Sequence, residues 1–214
     1  MLKYLIFDDI SQCSEEDVSR MLPLISSQRK EQALRYKHLF GKWACLKSYE
    51  MLSHLIRTNI SELHSGSVTA SDYPSFEFTY NEYGKPYLRL PPVYFSISHC
   101  KEAIAVAISD REVGIDVESR LRQISPELID KVMNARERLY IDENKQERFI
   151  VLWTQKEAVL KLRGTGIMDD MKDVLTGNEK VHTEIRENYI YSIATPAESI
   201  GKISTNNDDI STND

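Results

Sequence analysis

An α+β fold is predicted for this 214-residue chain from three observations: helical patterning dominates its start, short alternating strands crowd its middle, and helices return before a final pair of strands. A doubly wound parallel sheet would interleave strands and helices one by one, and this chain does not. Length allows either one large domain or two small lobes. At 41% hydrophobic and 28% charged, the composition is that of an ordinary soluble globular protein. The net charge of -6 is the wrong sign for a general nucleic-acid binder. The longest apolar run, Ala103 to Ile108, is too short to span a bilayer, so neither a nucleic-acid nor a membrane partner is expected.

The opening MLKYLIFDDI is apolar and then acidic, without a basic leader or a small-residue cleavage site, and reads as a first strand rather than a signal peptide. Helical patterning runs from Ser14 to Ile56 with a break near Pro23, and a Ser/Thr-rich connector follows from about Asn59 to Ser75. Next, FEFTY alternates, NEYGKP turns on Gly84 and Pro86, and VYFSIS, AIAVAIS and VGIDVE follow at short intervals, the pattern of an antiparallel meander. Ser125 before Pro126 starts a helix, and Asn134 with Glu137 forms a capping box for another. A long helix should cover Glu143 to Leu162 and stop at Gly164. Val181 to Ile185 and Tyr189 to Ile193, joined by REN, read as a closing hairpin, and the polar, aperiodic stretch after Ile200 as a mobile tail. Cys13, Cys45 and Cys100 form an odd set without CxxC spacing, which points to a reducing cytoplasm and away from disulfides or zinc.

The chemistry begins with VGIDVES, residues 113 to 119. On a strand, Ile115 and Val117 point one way while Asp116 and Glu118 point the other, about 7 Å apart. Two like charges on one face are a liability unless they meet water or share a cation. In WTQKEAVLKLRGTG, residues 153 to 166, Trp153, Glu157, Leu160 and Lys161 share one helical face. Glu157 and Lys161 could be a plain surface ion pair worth ~0.3–0.5 kcal/mol. A large apolar Trp153 beside them favours a half-buried site instead. Glu157 could then join Asp116 and Glu118 as a third oxygen ligand, and three carboxylates without His or Cys suit magnesium, which completes its shell with substrate phosphate. Residues 28 to 47 carry six basic side chains against the single Glu31, either a solvated helix face or a docking site for a small polyanion. Ser98 and His99 end a strand, and Lys85 sits in a turn; each alone has a bland structural explanation.

Taken in order, NEYGKP, FSISHC, GIDVE and WTQKEAVLK resemble the motifs of the Sfp-type phosphopantetheinyl transferases, across roughly residues 29 to 167. GIDVE followed by WxxKExxxK carries most of the likeness. The resemblance implies two similar α+β lobes related by a pseudo-twofold axis, residues 1–110 and 111–200 with a tail at 201–214, and an active site in the cleft between them. It implies coenzyme A as substrate, with its pyrophosphate on a magnesium ion held by Asp116, Glu118 and Glu157, and a serine of an apo acyl or peptidyl carrier protein as acceptor. By the same matching Glu157 takes the serine proton, Lys161 contacts the pyrophosphate, and Lys85 and His99 bind phosphates with Ser98 close by. Arg29 and Lys42 are assigned to the nucleotide 3′-phosphate. The catalytic set implied is thus Glu157, Lys161, Asp116 and His99. A chain carrying both lobes closes its own cleft, which implies an active monomer. Cys100 stands where many members have a serine, Gln32 where a second basic residue is usual, and the likeness fades after Ile167. Three carboxylates and a lysine would also suit a magnesium-dependent phosphohydrolase, and a cleft without a metal triad a noncatalytic coenzyme A or carrier-protein binding module.

Overall fold

The computed structural model describes residues 1–63, 77–88, 93–141, 144–166 and 171–197. It is a mixed α+β structure. Strand β1 (Leu2–Phe7) precedes α1 (Glu15–Met21), α2 (Ser27–Leu34) and α3 (Leu39–Leu63). The predicted break at Pro23 is a 3-10 turn over Leu22–Leu24. Ser14 and Ser26 cap α1 and α2, accepting from the amides of Asp17 and Arg29 at 3.0 and 3.3 Å. Helix α3 runs on to Leu63, into the expected connector, and the rest of that connector lies outside the described residues.

Strands β2 (Phe78–Tyr80) and β3 (Pro86–Leu88) form a two-stranded hairpin. The strands β4 (Tyr94–His99) and β5 (Ile104–Ser109) pair antiparallel as expected. The predicted meander ends there: β6 (Gly114–Ser119) pairs with β8 and not with β5. The reason is occupancy, since β5 already has β1 on one edge and β4 on the other. The closing hairpin of β7 (Lys180–Ile185) and β8 (Tyr189–Thr195) forms as read and gives a second sheet in the order β6-β8-β7. Between β6 and β7 lie α4 (Pro126–Val132), α5 (Ala135–Ile141) and α6 (Lys145–Arg163). The capping box closes reciprocally, with Glu137 N donating to Asn134 Oδ1 at 3.0 Å and Asn134 N to Glu137 Oε2 at 2.9 Å. Gly164, at φ 71°, ends α6 where predicted. The tail expected at 201–214 lies outside the described residues. Among the described residues no helix is long and apolar enough to cross a membrane.

Three apolar clusters hold these elements. Ile104, Val106 and Ile108 of β5 pack with Trp43, Leu46, Leu52 and Ile56 of α3. Ala103, Ala105 and Ala107 face the other way and meet Ile115, Val117, Tyr191 and Ile193 of the second sheet. Period-two alternation therefore gives β5 one large-residue face for its helix and one small-residue face that lets the two sheets approach. Each such aliphatic side chain contributes ~1.5–3 kcal/mol by leaving water. The third cluster lies between α4, α5, α6 and the Ile190/Ala194 face of β8.

Strand β6 and helix α6 touch backbone to backbone at Gly114, where a Cβ would fall 1.9 Å from the carbonyl oxygen of Ala158 and 2.5 Å from the amide nitrogen of Leu162. No flexible side chain can yield there. Gly114→Ala should lower stability by ~1–3 kcal/mol, read as a fall in the urea midpoint at unchanged m-value. A variant unfolding at the wild-type midpoint would contradict this contact.

Candidate active site

Packing against α6 explains how a strand can bury an acid. Gly114, Asp116 and Glu118 share the face of β6 that meets α6, and Asp116 stands opposite Ser192, whose hydroxyl bonds Thr154 of α6 at 2.8 Å. On its other side β6 is tied to β4, with Ile115 N donating to Ser96 Oγ at 3.0 Å. Asp116 is 5% exposed. Its Oδ1 accepts from Ser98 Oγ of β4 at 2.8 Å and from Lys161 Nζ of α6 at 2.6 Å. Its Oδ2 is buried without a hydrogen-bond partner.

Glu157 is also buried, and its Oε1 likewise has no partner. Burial, reinforced by the charge of Asp116, pushes its carboxyl from the ordinary 4.5 up to about 7, against the opposing pull of Lys161 and Arg122. Lys161 is bonded to Asp116, so the helix-surface pair with Glu157 weighed from the spacing is not what its ammonium makes. Two buried carboxylates with unsatisfied inner oxygens, in electrostatic contact from adjoining elements, fit a hard divalent cation.

Glu118 is differently engaged. Its Oε2 accepts from Arg122 and its Oε1 from the amide of Ser119 at 3.1 Å. The Arg122 guanidinium lies 4.3 Å over the Trp153 ring, with its Nε unpartnered. Among the described residues no group of three His, Cys, Asp or Glu side chains stands ready as a metal cage, and Glu118 is paired with a guanidinium.

The remaining predicted residues separate into two groups. His99, at the end of β4 and on the face opposite Ser98, is edge-on to Phe40 with ring centroids 6.0 Å apart. Desolvation lowers its pKa from 6.5, the positive charges of Lys161 and Arg29 lower it further, and Asp116 opposes them. Arg29 is buried and built into the fold: its Nε donates to Cys45 O at 3.1 Å and its two terminal nitrogens to Gln32 Oε1 at 2.8 Å and Ser48 Oγ at 2.9 Å. Lys42 is half-buried in the first turn of α3. Lys85 bonds Glu112 and the carbonyl of Leu162, at the far end of α6. Ser96 and Arg122 were not singled out from the sequence. Arg122, four residues after Glu118, is the only one with a sequence signal, and a helical spacing rule would not have been applied across a strand end.

In the metal-free protein Glu157 keeps its proton when folded over the window from pH 4.5 to about 7 in which the unfolded chain has lost it. Folding therefore takes up a proton there, stability falls as pH rises through that window, and the penalty above it reaches roughly 3 kcal/mol at most. Glu157→Gln should remove the loss and melt higher than wild type above neutral pH, while the two differ little near pH 4. Parallel melting curves for the two proteins across that range would contradict the burial of this carboxyl.

The comparisons with known proteins point the same way. A family model described as the 4′-phosphopantetheinyl transferase superfamily matches residues 112–200, the part that holds β6 and α6. The chain is 26% identical over 186 residues to 4′-phosphopantetheinyl transferase ffp of Bacillus subtilis, covering 82% of this chain and 78% of that protein. It is 27% identical over 161 residues to 4′-phosphopantetheinyl transferase psf-1 of Bacillus pumilus, covering 72% and 64%. Against 4′-phosphopantetheinyl transferase gsp of Aneurinibacillus migulanus it is 35% identical over 94 residues, 42% of this chain and 39% of that one. The last two matches thus span less than two thirds of the relative's length. Residues 112–200 thus match the model of the 4′-phosphopantetheinyl transferase superfamily, and over most of its length the chain is similar to bacterial 4′-phosphopantetheinyl transferases.

Proposed function

We propose that this protein transfers the phosphopantetheine group of coenzyme A to a serine of an apo acyl or peptidyl carrier protein. The observation that carries the proposal is the buried Asp116, shared by Lys161 and Ser98 beside the unsatisfied Glu157. In this reading residues 1–110 and 111–200 act as two similar lobes, and coenzyme A lies where they meet. Asp116 and Glu157 would hold magnesium, and Glu118 would be a third oxygen ligand if released from Arg122. When bound, the ion neutralises charge on the pyrophosphate and on the leaving phosphate.

The serine oxygen forms a bond to the β-phosphorus of coenzyme A while the bond from that phosphorus to the bridging oxygen breaks. Adenosine 3′,5′-bisphosphate leaves with the electron pair. Glu157 accepts the serine proton, directly or through a water. Lys161 offers its ammonium to the pyrophosphate from the position in which Asp116 holds it. His99, kept largely neutral by its surroundings, serves as a hydrogen-bond partner for a phosphate oxygen. Lys42 and the remaining N–H groups of Arg29 are the candidates for the nucleotide 3′-phosphate.

Incubation with coenzyme A, magnesium and a panel of apo carrier proteins, followed by mass spectrometry of the carriers, tests the reading. One carrier at least should gain the mass of one phosphopantetheine. Coenzyme A consumed by water with every carrier unmodified would make the protein a phosphohydrolase, and coenzyme A bound but intact would make it a binding module. Lys161→Ala should slow single-turnover transfer by roughly a hundredfold at saturating coenzyme A. It should also lower stability by ~1–3 kcal/mol, because Asp116 is left buried without its counter-charge. Lys161→Arg should recover only part of the rate, since a planar fork cannot occupy the place of a point charge. Wild-type turnover in Lys161→Ala would remove that residue from the mechanism.

A further inference from the structure

The turn between β2 and β3 makes a set of bonds that the transfer reaction does not by itself require. Asn81 closes this turn with its side-chain oxygen, which accepts from Tyr83 N at 3.0 Å and Lys85 N at 2.8 Å. The Nδ2 of the same side chain donates to the carbonyl of Gly164 at 2.7 Å, beyond the end of α6. Lys85 then donates to the carbonyl of Leu162 at 2.9 Å and pairs with Glu112. Its side chain is only 9% exposed. A Cβ on Gly164 would fall 2.9 Å from Lys85 Cδ and 3.1 Å from Asn81 Nδ2, so the turn lies directly on the helix cap. The last carbonyls of a helix lack intrahelical donors and carry partial negative charge, and an ammonium satisfies both needs.

The sequence positions of these partners give the arrangement its meaning. Leu162 follows Lys161, and Glu112 lies in the segment leading into β6, four residues before Asp116. One ammonium therefore joins the end of α6 to the entry of β6, the two elements whose side chains meet in the 2.6 Å contact between Lys161 and Asp116. We infer that Lys85 is a positioning residue: through Glu112 and the Leu162 carbonyl it straps α6 to β6 and so holds Lys161 in register with Asp116. With its ammonium committed in this way, Lys85 acts on the rate through alignment and not by gripping a phosphate of coenzyme A. Misplacement of reacting groups by even ~1 Å costs up to a hundredfold in rate, so a strap remote from the chemistry can matter.

The inference rests on the proposed transfer reaction for its rate measurements, and hydrogen exchange provides a readout independent of it. Lys85→Met, Glu112→Gln and the double variant are assayed with coenzyme A varied at saturating carrier. Exchange at the amides of Gly164 and Thr165 is followed in each. Both single variants should lower kcat, Lys85→Met by roughly tenfold to a hundredfold, with KM for coenzyme A moving less than about twofold. The double variant should be no worse than Lys85→Met, because both remove one strap, and the two amides should exchange faster in all three. Glu112 is partly exposed, so its conservative change keeps the test available if Lys85→Met folds poorly. A Lys85→Met protein with raised KM and unchanged kcat would overturn the inference. So would a Glu112→Gln protein that binds coenzyme A more tightly, as a freed phosphate ligand would. Unchanged exchange at Gly164 and Thr165 removes the strap whatever the rates. Wild-type protein that modifies no carrier would instead defeat the functional reading, leaving exchange to decide whether the strap is there.

Discussion

Asp116 carries a charge into the junction of β4, β6 and α6, and most of what surrounds it can be understood as the means of keeping that charge there. A buried carboxylate without partners would neutralise itself or expel the strand that bears it. One oxygen is satisfied twice, by a hydroxyl from β4 and an ammonium from α6, and each donor also fixes its own element against β6. Gly114 makes the β6–α6 approach close enough for Lys161 to reach, and Ser96 anchors the strand on its other side. The second oxygen is left unsatisfied, as is one on Glu157. A protein selected only for stability would have little reason to keep two such atoms, whereas unpaired carboxylate oxygens would serve the cation of the proposed reaction.

The cores divide the same labour. The helix-facing side of β5 is Ile and Val, and stability there comes from area removed from water. The opposite side carries Ala105 and Ala107, which contribute little area but bring a second sheet within reach of the first. Ser98 on β4 can therefore bond Asp116 on β6, although the two strands belong to different sheets. Strand β5, buried along its whole length, is the partition on which both halves lean.

How much of this was legible depended on the distance over which each feature is decided. Ser125 with Pro126, the Asn134/Glu137 box and Gly164 were read correctly because caps and left-handed glycines are settled by a few neighbouring residues. The pairing of β6 was misread because a meander is the default for consecutive strands, and nothing local reveals that β1 has already taken the free edge of β5. The acids of GIDVE and the face of WTQKEAVLK could be recognised as chemistry, but not which side chain meets which. Lys161 lies four residues from Glu157 and yet bonds Asp116, 45 residues away, because the register of helix on strand decides the matter. Arg29 was assigned to the nucleotide 3′-phosphate by likeness alone; that it also has Cys45, Gln32 and Ser48 as partners was not legible in the sequence. A count of basic residues cannot distinguish a cation facing solvent from one that mortars two helices together.

The stacking of Arg122 on Trp153 has an optical consequence. The chain has two tryptophans, and Trp43 lies 1% exposed in the core between α3 and the first sheet, with no charged group stacked on its ring among the contacts of the described residues. Trp153 has a guanidinium on its face that also holds Glu118. Indole emission is sensitive to the charges and solvent around the ring, so the Trp43 contribution forms a steady background against which any change at Trp153 stands out. The protein thereby carries an intrinsic fluorophore whose colour and intensity follow the whereabouts of one arginine, without a label or an engineered probe.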